Sequence, residues 1–270
     1  MAIANNVNSN VAMHRKNKTI VLPTWFAPIA VVIALLIIWQ VGVRVFGVPT
    51  FIAPAPTDVA SAIASDYPIL INNFWPTFVE ALMGFFVGNS IAVALAIIFV
   101  HNKSVERAFF PLAVFVNTIP ILAVAPILVL IFGNGLTAKV IISALICFFP
   151  TLVNMVKGLE SVGKDALDLG RVLSATQNEI LWKIRLPASL PYLFAALKIA
   201  ATTCVVGAIV GEWVGADIGL GALILDATHN FRTPLLYAAV FASSMLAVTF
   251  FGVVTLVERR VIKWNPRNLR

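Results

Sequence analysis

The 270-residue chain is 60% hydrophobic and 11% charged, whereas soluble domains typically carry about 45–50% apolar and roughly 25% charged residues. Its mean hydropathy of +0.95 comes from long apolar blocks between short polar stretches, a pattern typical of membrane-spanning helices. The composition argues against a water-soluble globule and indicates an integral membrane protein. The net charge of +7 is consistent with basic cytoplasmic loops, and we expect no nucleic-acid partner.

Six apolar segments are long enough to cross a bilayer, since a core of ~30 Å requires about 20 helical residues. They are residues 25–46, 74–100, 109–133, 138–156, 191–213 and 235–257. We predict an all-α transmembrane domain over residues 25–258, between a tail of residues 1–24 and a basic tail of residues 259–270. The first span is too long for a signal-peptide core and is expected to be retained.

Basic residues are distributed unevenly between the two sides of this topology. With the N-terminus inside, fifteen of the nineteen fall in cytoplasmic segments, and only Arg44, Lys139 and Arg232 fall on the outer side. Because basic residues are retained in the cytoplasm, both termini are predicted to be cytoplasmic. Outside, we expect a short surface helix within residues 47–73 and a segment within residues 214–234 that dips back toward the membrane.

The cytoplasmic segment between spans 4 and 5 has an amphipathic pattern of its own. Apolar residues recur at steps of three and four, and they are Leu159, Val162, Ala166, Leu169 and Leu173. This spacing predicts a helix with one apolar face. Thr176 to Glu179 matches a capping box, which predicts a second short helix that ends before Pro187. We expect the two helices of this loop, residues 159–187, to meet near Ser174.

The same loop resembles the EAA loop of the permease subunits of binding-protein-dependent ABC importers. That motif is Glu-Ala-Ala, three residues, Gly, nine residues and Ile-x-Leu-Pro. Here Asp168-Leu169-Gly170 replaces Glu-Ala-Ala and Ser174 replaces the glycine, while Ile184-x-Leu186-Pro187 follows at the same spacing.

Three other segments carry this resemblance. They are Ile52-Ala53-Pro54-Ala55-Pro56 after span 1, Pro120-x-x-Ala123-x-x-Pro126 with Phe132-Gly133-x-Gly135 in span 3, and Glu212-Trp213 before Gly219-Leu220-Gly221 after span 5. With them, nearly the whole chain after residue 24 is similar to the permeases for nitrate, sulfonates, taurine and thiamine-pyrimidine precursors.

The resemblance implies a multi-pass subunit of a bacterial inner membrane that works as a homodimer with two ATP-binding subunits. It implies a binding protein that delivers a small solute to the outer face, and transport by alternating access. The subunit itself would be non-catalytic and hold no cofactor, because ATP and Mg are bound by the partner. The coupling contact to that partner would involve Leu169, Gly170, Leu173, Ser174, Ala175, Ile184, Leu186 and Pro187. From the residues alone, an amphipathic hairpin on the inner leaflet is an equal alternative.

Polar residues within the spans are candidates for the translocation pathway. We predict a pathway that includes Asn117, Thr118, Pro120, Thr202, Thr203 and Glu212. Pro111, Pro120 and Pro126 should each kink span 3 and free carbonyl groups, which a water-lined cavity or a neighbouring helix must satisfy. For the amide and the hydroxyls, hydrogen bonding between helices is an equal alternative.

Three ionisable residues in the spans require an explanation, since charges are costly in a bilayer. Glu212 is expected either to cap the pathway or to pair with Arg232. Glu80 is expected to face interfacial water or a partner helix. Lys198 is expected to extend its ammonium group to the cytoplasmic interface.

Glycines spaced four residues apart occur in two spans, at positions 84 and 88 and at positions 207, 211, 215 and 219. They predict close packing between helices. The alternative is that span 5 faces its counterpart in a second, twofold-related copy of the chain. Cys147 and Cys204 lie in apolar runs and are expected to be packing residues, and no histidine or cysteine metal site is expected.

Gly158-x-x-x-x-Gly163-Lys164 resembles a phosphate-binding loop, but Asp165 replaces the Ser or Thr that holds magnesium, and the glycines follow a membrane span instead of a strand. A self-sufficient channel or secondary transporter is the alternative function. The amphipathic loop argues against it, because a passive pore needs no docking element.

The solute is expected to be a small organic compound, such as a pyrimidine precursor or a sulfonate, in preference to nitrate or bicarbonate.

Overall fold

The computed structural model describes residues 26–263, which form eleven α-helices and one π-helical turn, Leu181–Arg185. The helices are α1 (Phe26–Val45), α2 (Pro56–Ser65), α3 (Tyr67–His101), α4 (Lys103–Thr118), α5 (Ile121–Phe132), α6 (Leu136–Glu160), α7 (Lys164–Val172), α8 (Gln177–Ile180), α9 (Leu186–Glu212), α10 (Leu220–His229) and α11 (Thr233–Val261). The predicted N-terminal tail and the end of the basic C-terminal tail lie outside the described residues.

The six predicted spans are confirmed as helices. Spans 1, 2, 4 and 6 are α1, α3, α6 and α11, and span 5 lies in a continuous helical run from Gln177 to Glu212. Span 3 consists of α4 and α5, whose axes differ by 98°. Most of these helices extend beyond the predicted bounds of the spans.

The bend in span 3 occurs at Ile119 and Pro120. Pro111 and Pro126 lie inside α4 and α5, so Pro120 is the proline at which the helix breaks. It lacks an amide hydrogen and disfavours a helical conformation at the preceding residue, and Ile119 accordingly has an extended backbone with ψ 124°.

Helix α6 packs between α3 and α9 at the centre of the molecule. Gly84 and Gly88 of α3 lie against Ser143 and Ala144 of α6, and Gly207 of α9 lies against the other side of Ser143. A Cβ atom at any of these glycines would collide with α6. The prediction of close helix packing is confirmed, and within this chain the partner of span 5 is α6.

The core on either side of this contact is apolar. Cys147 and Cys204 are fully buried in a cluster with Ala81, Ala200 and Leu246, which confirms them as packing residues. A second cluster lies toward the other end of α6 and contains Phe99, Leu152, Met155, Leu159 and Leu181. This second cluster joins the predicted coupling loop to the transmembrane helices.

The two outer segments form a layer of short helices. The surface helix expected within residues 47–73 is α2, and residues 214–234 contain α10. Leu70, Leu223 and Leu235 are buried together between these segments and α11. Helix α1 has no buried residue and contacts α2 through an ion pair of 2.8 Å between Arg44 and Asp58.

The predicted helix end before Pro187 is wrong. The π-helical turn leads directly into α9, which begins at Leu186. Pro187 therefore occupies the first turn of α9, where proline is tolerated. The wider π turn supplies the local adjustment in the hydrogen-bond ladder, so α8, the turn and α9 form one helical run of 36 residues.

Candidate functional site

The predicted coupling loop is a compact hairpin of α7 and α8. After α7 the backbone reverses, with the amide of Leu173 donating to the carbonyl of Leu169 at 3.0 Å and the amide of Ala175 donating to that of Gly170 at 2.9 Å. Ser174 at the turn has φ 55°, the left-handed conformation common after helix ends. The two short helices meet at this residue, as the sequence predicts.

The start of α8 has the predicted capping box. The amide of Glu179 donates to Thr176 Oγ1 at 3.2 Å, and Glu179 Oε2 accepts from the amide of Thr176 at 3.0 Å. Lys183 Nζ also donates to Glu179 Oε1 at 3.0 Å. The backbone hydrogen bond from Thr176, followed by the one from Lys183, lowers the pKa of Glu179 to about 2, so the cap is fully ionised at neutral pH.

Gly170 is the buried residue of α7, and it lies where α7 packs against α8 and the π turn. A Cβ atom at this position would lie 3.5 to 3.7 Å from the side chains of Ile180 and Ile184. Leu186 and Pro187 continue from there into the first turn of α9 and are half-buried. The structure therefore brings both halves of the EAA-like sequence together, with Gly170 in contact with Ile184.

Several apolar side chains of the hairpin point into solvent. Leu169, Val172 and Leu173 are 61%, 80% and 72% exposed, and Trp182 is 68% exposed. Ser174 is exposed and Ala175 half-buried beside them. We call Leu169, Val172, Leu173 and Trp182 the docking patch. Sequence reasoning missed Trp182, although an aromatic residue next to Lys183 in a polar loop is itself a signal of contact with a partner.

The segment that resembles a phosphate loop has a packing role at its first glycine. Gly158 lies in the last turn of α6, directly against Ser189 and Tyr192 of α9. Gly163 precedes the first residue of α7, and the element before it is a helix.

A buried polar cluster lies near the ends of the spans that are predicted to face outward. Lys139 Nζ of α6 donates to Glu80 Oε1 of α3 at 2.9 Å, and Glu80 is 3% exposed. Of the two alternatives for Glu80, the partner helix is confirmed. Sequence reasoning counted Lys139 as an outer charge and missed this role, although two opposite charges in neighbouring spans are a signal of pairing.

Glu212 belongs to the same cluster and does not pair with Arg232. Its carboxylate accepts from Thr77 Oγ1 and from the amide of Gly221, both at 2.5 Å. Arg232 instead donates to Asp66 at 3.1 Å. The predicted pairing is wrong because Glu212 is fully buried and points between α3 and the beginning of α10, whereas Arg232 remains at the surface.

The beginning of α10 is held by three backbone amides. Gly219 donates to Asn73 Oδ1 at 2.9 Å, Leu220 donates to Thr77 Oγ1 at 2.8 Å, and Gly221 donates to Glu212. A carboxylate at a helix N-terminus is electrostatically favourable. The positive φ of Gly219, 137°, lets the chain approach this carboxylate closely. We call Asn73, Thr77 and Glu212 the outer anchor.

Lys198 has a partner on α11. Its ammonium group forms an ion pair with Glu258, three residues from the end of that helix. The side chain therefore extends toward the end of α11 that is predicted to be cytoplasmic, which is the expected direction, and it meets a carboxylate there.

The predicted pathway residues lie in three separate places. Asn117, Thr118 and Pro120 line a cavity of about 410 Å³. Glu212 belongs to the outer anchor. Thr202 and Thr203 are half-buried and donate to the carbonyl of Ile199 in their own helix, at 2.9 and 3.1 Å.

The cavity lies between the bend of span 3 and the middle of α6. Its lining residues are Ala113, Val116, Asn117, Thr118, Ile119, Pro120, Ile121, Val124, Leu145, Ile146, Phe148 and Phe149. We call it the bend cavity. Across the described residues, the structure contains no group of three His, Cys, Asp or Glu side chains placed to hold a metal ion.

Comparison with known proteins identifies the family. Residues 88–263 match the family described as the inner membrane component of binding-protein-dependent transport systems. The chain belongs to this family. The similarity to its curated members extends well beyond the matched segment.

The riboflavin transport system permease of Chloroflexus aurantiacus is 34% identical over 86% of this chain and 87% of its own length. The formylaminopyrimidine transport permease of Halalkalibacterium halodurans is 31% identical over 86% of this chain and 93% of its own length. The putative aliphatic sulfonates permease of Bacillus subtilis is 26% identical over 89% and 88% of the two chains. All three are permease components of transport systems.

The fold matches a solved transporter. An inward-facing structure of the MetNI methionine ABC transporter covers 72% of this chain and 96% of its own, with a TM-score of 0.64 and 20% sequence identity. The helical arrangement of this permease is therefore one that an ABC transporter uses.

Proposed function

We propose that two copies of this permease pair with two ATP-binding subunits and accept a small solute from a binding protein on the outer face. Family membership establishes a permease of a binding-protein-dependent transport system. The observation that carries the proposal further is the docking patch, which presents four large apolar side chains to solvent on a hairpin with a rigid cap. An exposed apolar patch of this kind is typical of an interaction site.

The hairpin is mechanically connected to the transmembrane helices. Leu181 is buried between α3 and α6, and the helical run from Gln177 continues without interruption to Glu212. A displacement of the docking patch would therefore be transmitted along this run to the outer anchor, which holds α10. Alternating access follows if closure of the ATP-binding subunits moves the hairpins and thereby releases or restores the anchor.

ATP and Mg are assigned to the partner subunit, and this permease is assigned no catalytic role. Support comes from the packing role of Gly158 against α9 and from Asp165, which follows Lys164 where a magnesium ligand would carry a hydroxyl.

The second permease copy is assigned to the side of α4 and α5 that carries Phe115 and Leu130, which do not line the bend cavity. Large apolar side chains are exposed there, among them Phe115 at 63% and Leu130 at 86%. The charge distribution supports cytoplasmic termini in an inner membrane.

The proposed solute is a small nitrogen heterocycle. The relatives that are 34% and 31% identical are named for riboflavin and for formylaminopyrimidine, whereas the relative named for sulfonates is 26% identical. This order agrees with the sequence-based expectation of an organic solute and favours the pyrimidine precursor over the sulfonate.

Substitutions in the hairpin test the coupling assignment. Leu169→Asp and Ala175→Glu place a charge where we expect contact with the ATP-binding subunit, and an unpaired buried charge is costly. Each should abolish ATP-driven uptake while the permease remains inserted. Ile52→Asp is the matched control, because Ile52 is a similarly exposed apolar residue, 60%, in the outer segment. Normal copurification of the ATP-binding subunit and normal uptake with both hairpin variants would show the coupling assignment to be wrong.

A further inference from the structure

We propose that the bend cavity is the site at which the solute is held within the membrane, and that it accepts an uncharged planar nitrogen heterocycle. The proposal rests on the importer function and adds a place and a selectivity to it. Four observations support it. They are the depth of the cavity along α6, the interrupted backbone between α4 and α5, the chemistry of the lining side chains, and the lack of charged side chains in the lining.

The bend cavity lies beside the middle of α6, which places it near mid-depth of a bilayer that this helix spans. Its α6 wall runs from Leu145 to Phe149, which are positions ten to fourteen of the 25 residues of this helix. Transporters commonly bind their substrates at this depth, beside interrupted helices. The interruption between α4 and α5 forms the opposite wall.

The backbone at the interruption offers hydrogen-bond acceptors. Pro120 has no amide hydrogen, and the axis turns by 98°, so α4 cannot continue its hydrogen-bond ladder into α5. The carbonyl of Phe115 accepts from Thr118 Oγ1 and that of Val116 accepts from the amide of Ile119, so the acceptors on offer are the carbonyls of Asn117 and Thr118. Such groups are tolerated at membrane depth only inside protein or beside a polar cavity. Ring N–H and amino groups of a heterocycle are the donors that fit them.

The side chains supply two polar groups and two flat apolar ones. Thr118 Oγ1 donates to the carbonyl of Phe115 at 2.7 Å, which leaves its lone pairs to accept a hydrogen bond from a ligand. The amide of Asn117 can both donate and accept. Phe148 and Phe149 form the α6 side, where a ring can stack. The volume of about 410 Å³ lies within the roughly 300–1,000 Å³ typical of small-molecule sites.

The lining contains no charged side chain. An anion held there would lack a cationic partner in a region where unpaired charge is costly. The bend cavity therefore favours an uncharged ring over a sulfonate, nitrate or bicarbonate ion. A second permease copy is the competing occupant of the bend cavity. Packing against another apolar helix would not require polar side chains in the lining, whereas Asn117 and Thr118 are present there.

Direct binding tests this assignment on the permease assembled with its ATP-binding subunit in nanodiscs, without binding protein. The probes are radiolabelled riboflavin and a formylaminopyrimidine, measured by equilibrium dialysis. At least one should bind, and Thr118→Val and Phe149→Ala should each raise its Kd at least fivefold. Thr255→Val and Phe251→Ala are the controls on α11, where the hydroxyl of Thr255 likewise donates to a carbonyl of its own helix, that of Phe251, at 2.8 Å. They should change Kd less than twofold.

Accessibility gives a second measurement. Thr118→Cys should react with a methanethiosulfonate reagent, and the bound probe should slow this reaction at least fivefold. Native Cys147 and Cys204 are fully buried and serve as an internal background. Efficient crosslinking between two copies through Asn117→Cys, unaffected by the probe, would identify the second copy as the occupant and overturn the proposal.

The two levels of the proposal fail separately. Binding of neither probe to the wild-type complex, or equal Kd values for the cavity and control variants, would overturn the bend-cavity assignment. ATP-driven uptake with the loaded binding protein is measured on the same preparations. If wild-type uptake is normal and the cavity variants match it, only the site is wrong, whereas an absence of ATP-driven uptake in the wild type contradicts the importer function itself.

Discussion

The ammonium group of Lys139 lies 2.9 Å from the carboxylate of Glu80, and both side chains are buried between α6 and α3. Glu80 Oε2 has no hydrogen-bond partner, so Lys139 bonds to only one of the two carboxylate oxygens. Removing one partner leaves an unpaired charge in the membrane, whereas removing both does not.

The first prediction separates these two cases. Glu80→Leu or Lys139→Leu alone should destabilise the permease strongly, by about 3–5 kcal/mol, and the double variant should recover much of that loss. The measurement is thermal aggregation of the detergent-solubilised protein, followed by size exclusion. A double variant no more stable than either single variant would show that the two residues contribute independently.

The second prediction concerns the outer anchor. Glu212→Gln removes one of two acceptors, because Thr77 and the amide of Gly221 donate to different carboxylate oxygens and the substitution turns one of these oxygens into an NH2 group, which donates. A hydrogen bond of this kind contributes about 0.5–1.5 kcal/mol, so α10 should open roughly two- to tenfold more often. The readout is the rate at which an impermeant thiol reagent labels Leu223→Cys, which is 6% exposed in the closed arrangement.

Asp226→Asn is the control for that experiment. Asp226 lies on α10, and its carboxylate accepts from Asn230 in the same segment, away from the outer anchor. It should leave the labelling of Leu223→Cys unchanged. Equal labelling rates for the Glu212 variant and the wild type would show that the anchor does not hold α10.

The sequence predicts the spans well because hydropathy and length determine them almost alone. It also predicts the capping box and the turn at Ser174, since these depend on residues close together in the chain. It does not predict the partner of Glu212, because Thr77 is 135 positions away and pairing over that distance depends on how the helices pack.

The prediction that a helix ends before Pro187 was wrong for a related reason. Proline predicts a stop in an isolated segment, but here the preceding π turn changes the hydrogen-bond register before the proline is reached. The bend cavity was anticipated only in part. Pro120 predicted the break, and Asn117 and Thr118 its polar wall, but the opposing Phe148 and Phe149 carry no local signal that distinguishes them from lipid-facing residues.

The third prediction is the pH dependence of the coupling hairpin. The pKa of Glu179 falls from 4.5 to about 2 on folding, so its ionised form stabilises the cap at every pH above 4.5. That contribution is lost as the pH falls from 4.5 toward 2. Hydrogen exchange of the α8 amides should be constant from pH 8 to 5, after correction for intrinsic rates, and protection should then decline.

Thr176→Ala removes the same cap without a pH change. It should lower the local stability of α8 by about 0.5–2 kcal/mol at neutral pH, while Gln177→Ala, which leaves the cap intact, should have little effect. Unchanged exchange in the Thr176 variant would indicate that packing of Ile180 alone holds the helix.

The fourth prediction is topological and rests on the charge asymmetry. Ser174→Cys should be protected from an impermeant thiol reagent in intact cells, whereas Ala60→Cys and Thr228→Cys should be labelled, because all three residues are exposed and lie on opposite sides of the predicted topology. The buried native cysteines should contribute no background. Labelling of Ser174→Cys without labelling of Ala60→Cys would invert the orientation.

The last prediction is that this permease alone neither hydrolyses ATP nor transports. Gly158 is packed against α9 inside a helix and cannot form part of a loop around a phosphate. Asp165 adds a negative charge beside Lys164 where a magnesium-binding hydroxyl would be required. In liposomes the purified permease should show neither ATPase activity nor solute flux, and its ATP-binding subunit with loaded binding protein should restore both. Lys164→Ala should leave the restored ATPase within a few-fold of normal, because Lys164 is exposed and a surface charge contributes about 1 kcal/mol at most. Solute flux through the permease by itself would instead support a channel or a secondary transporter.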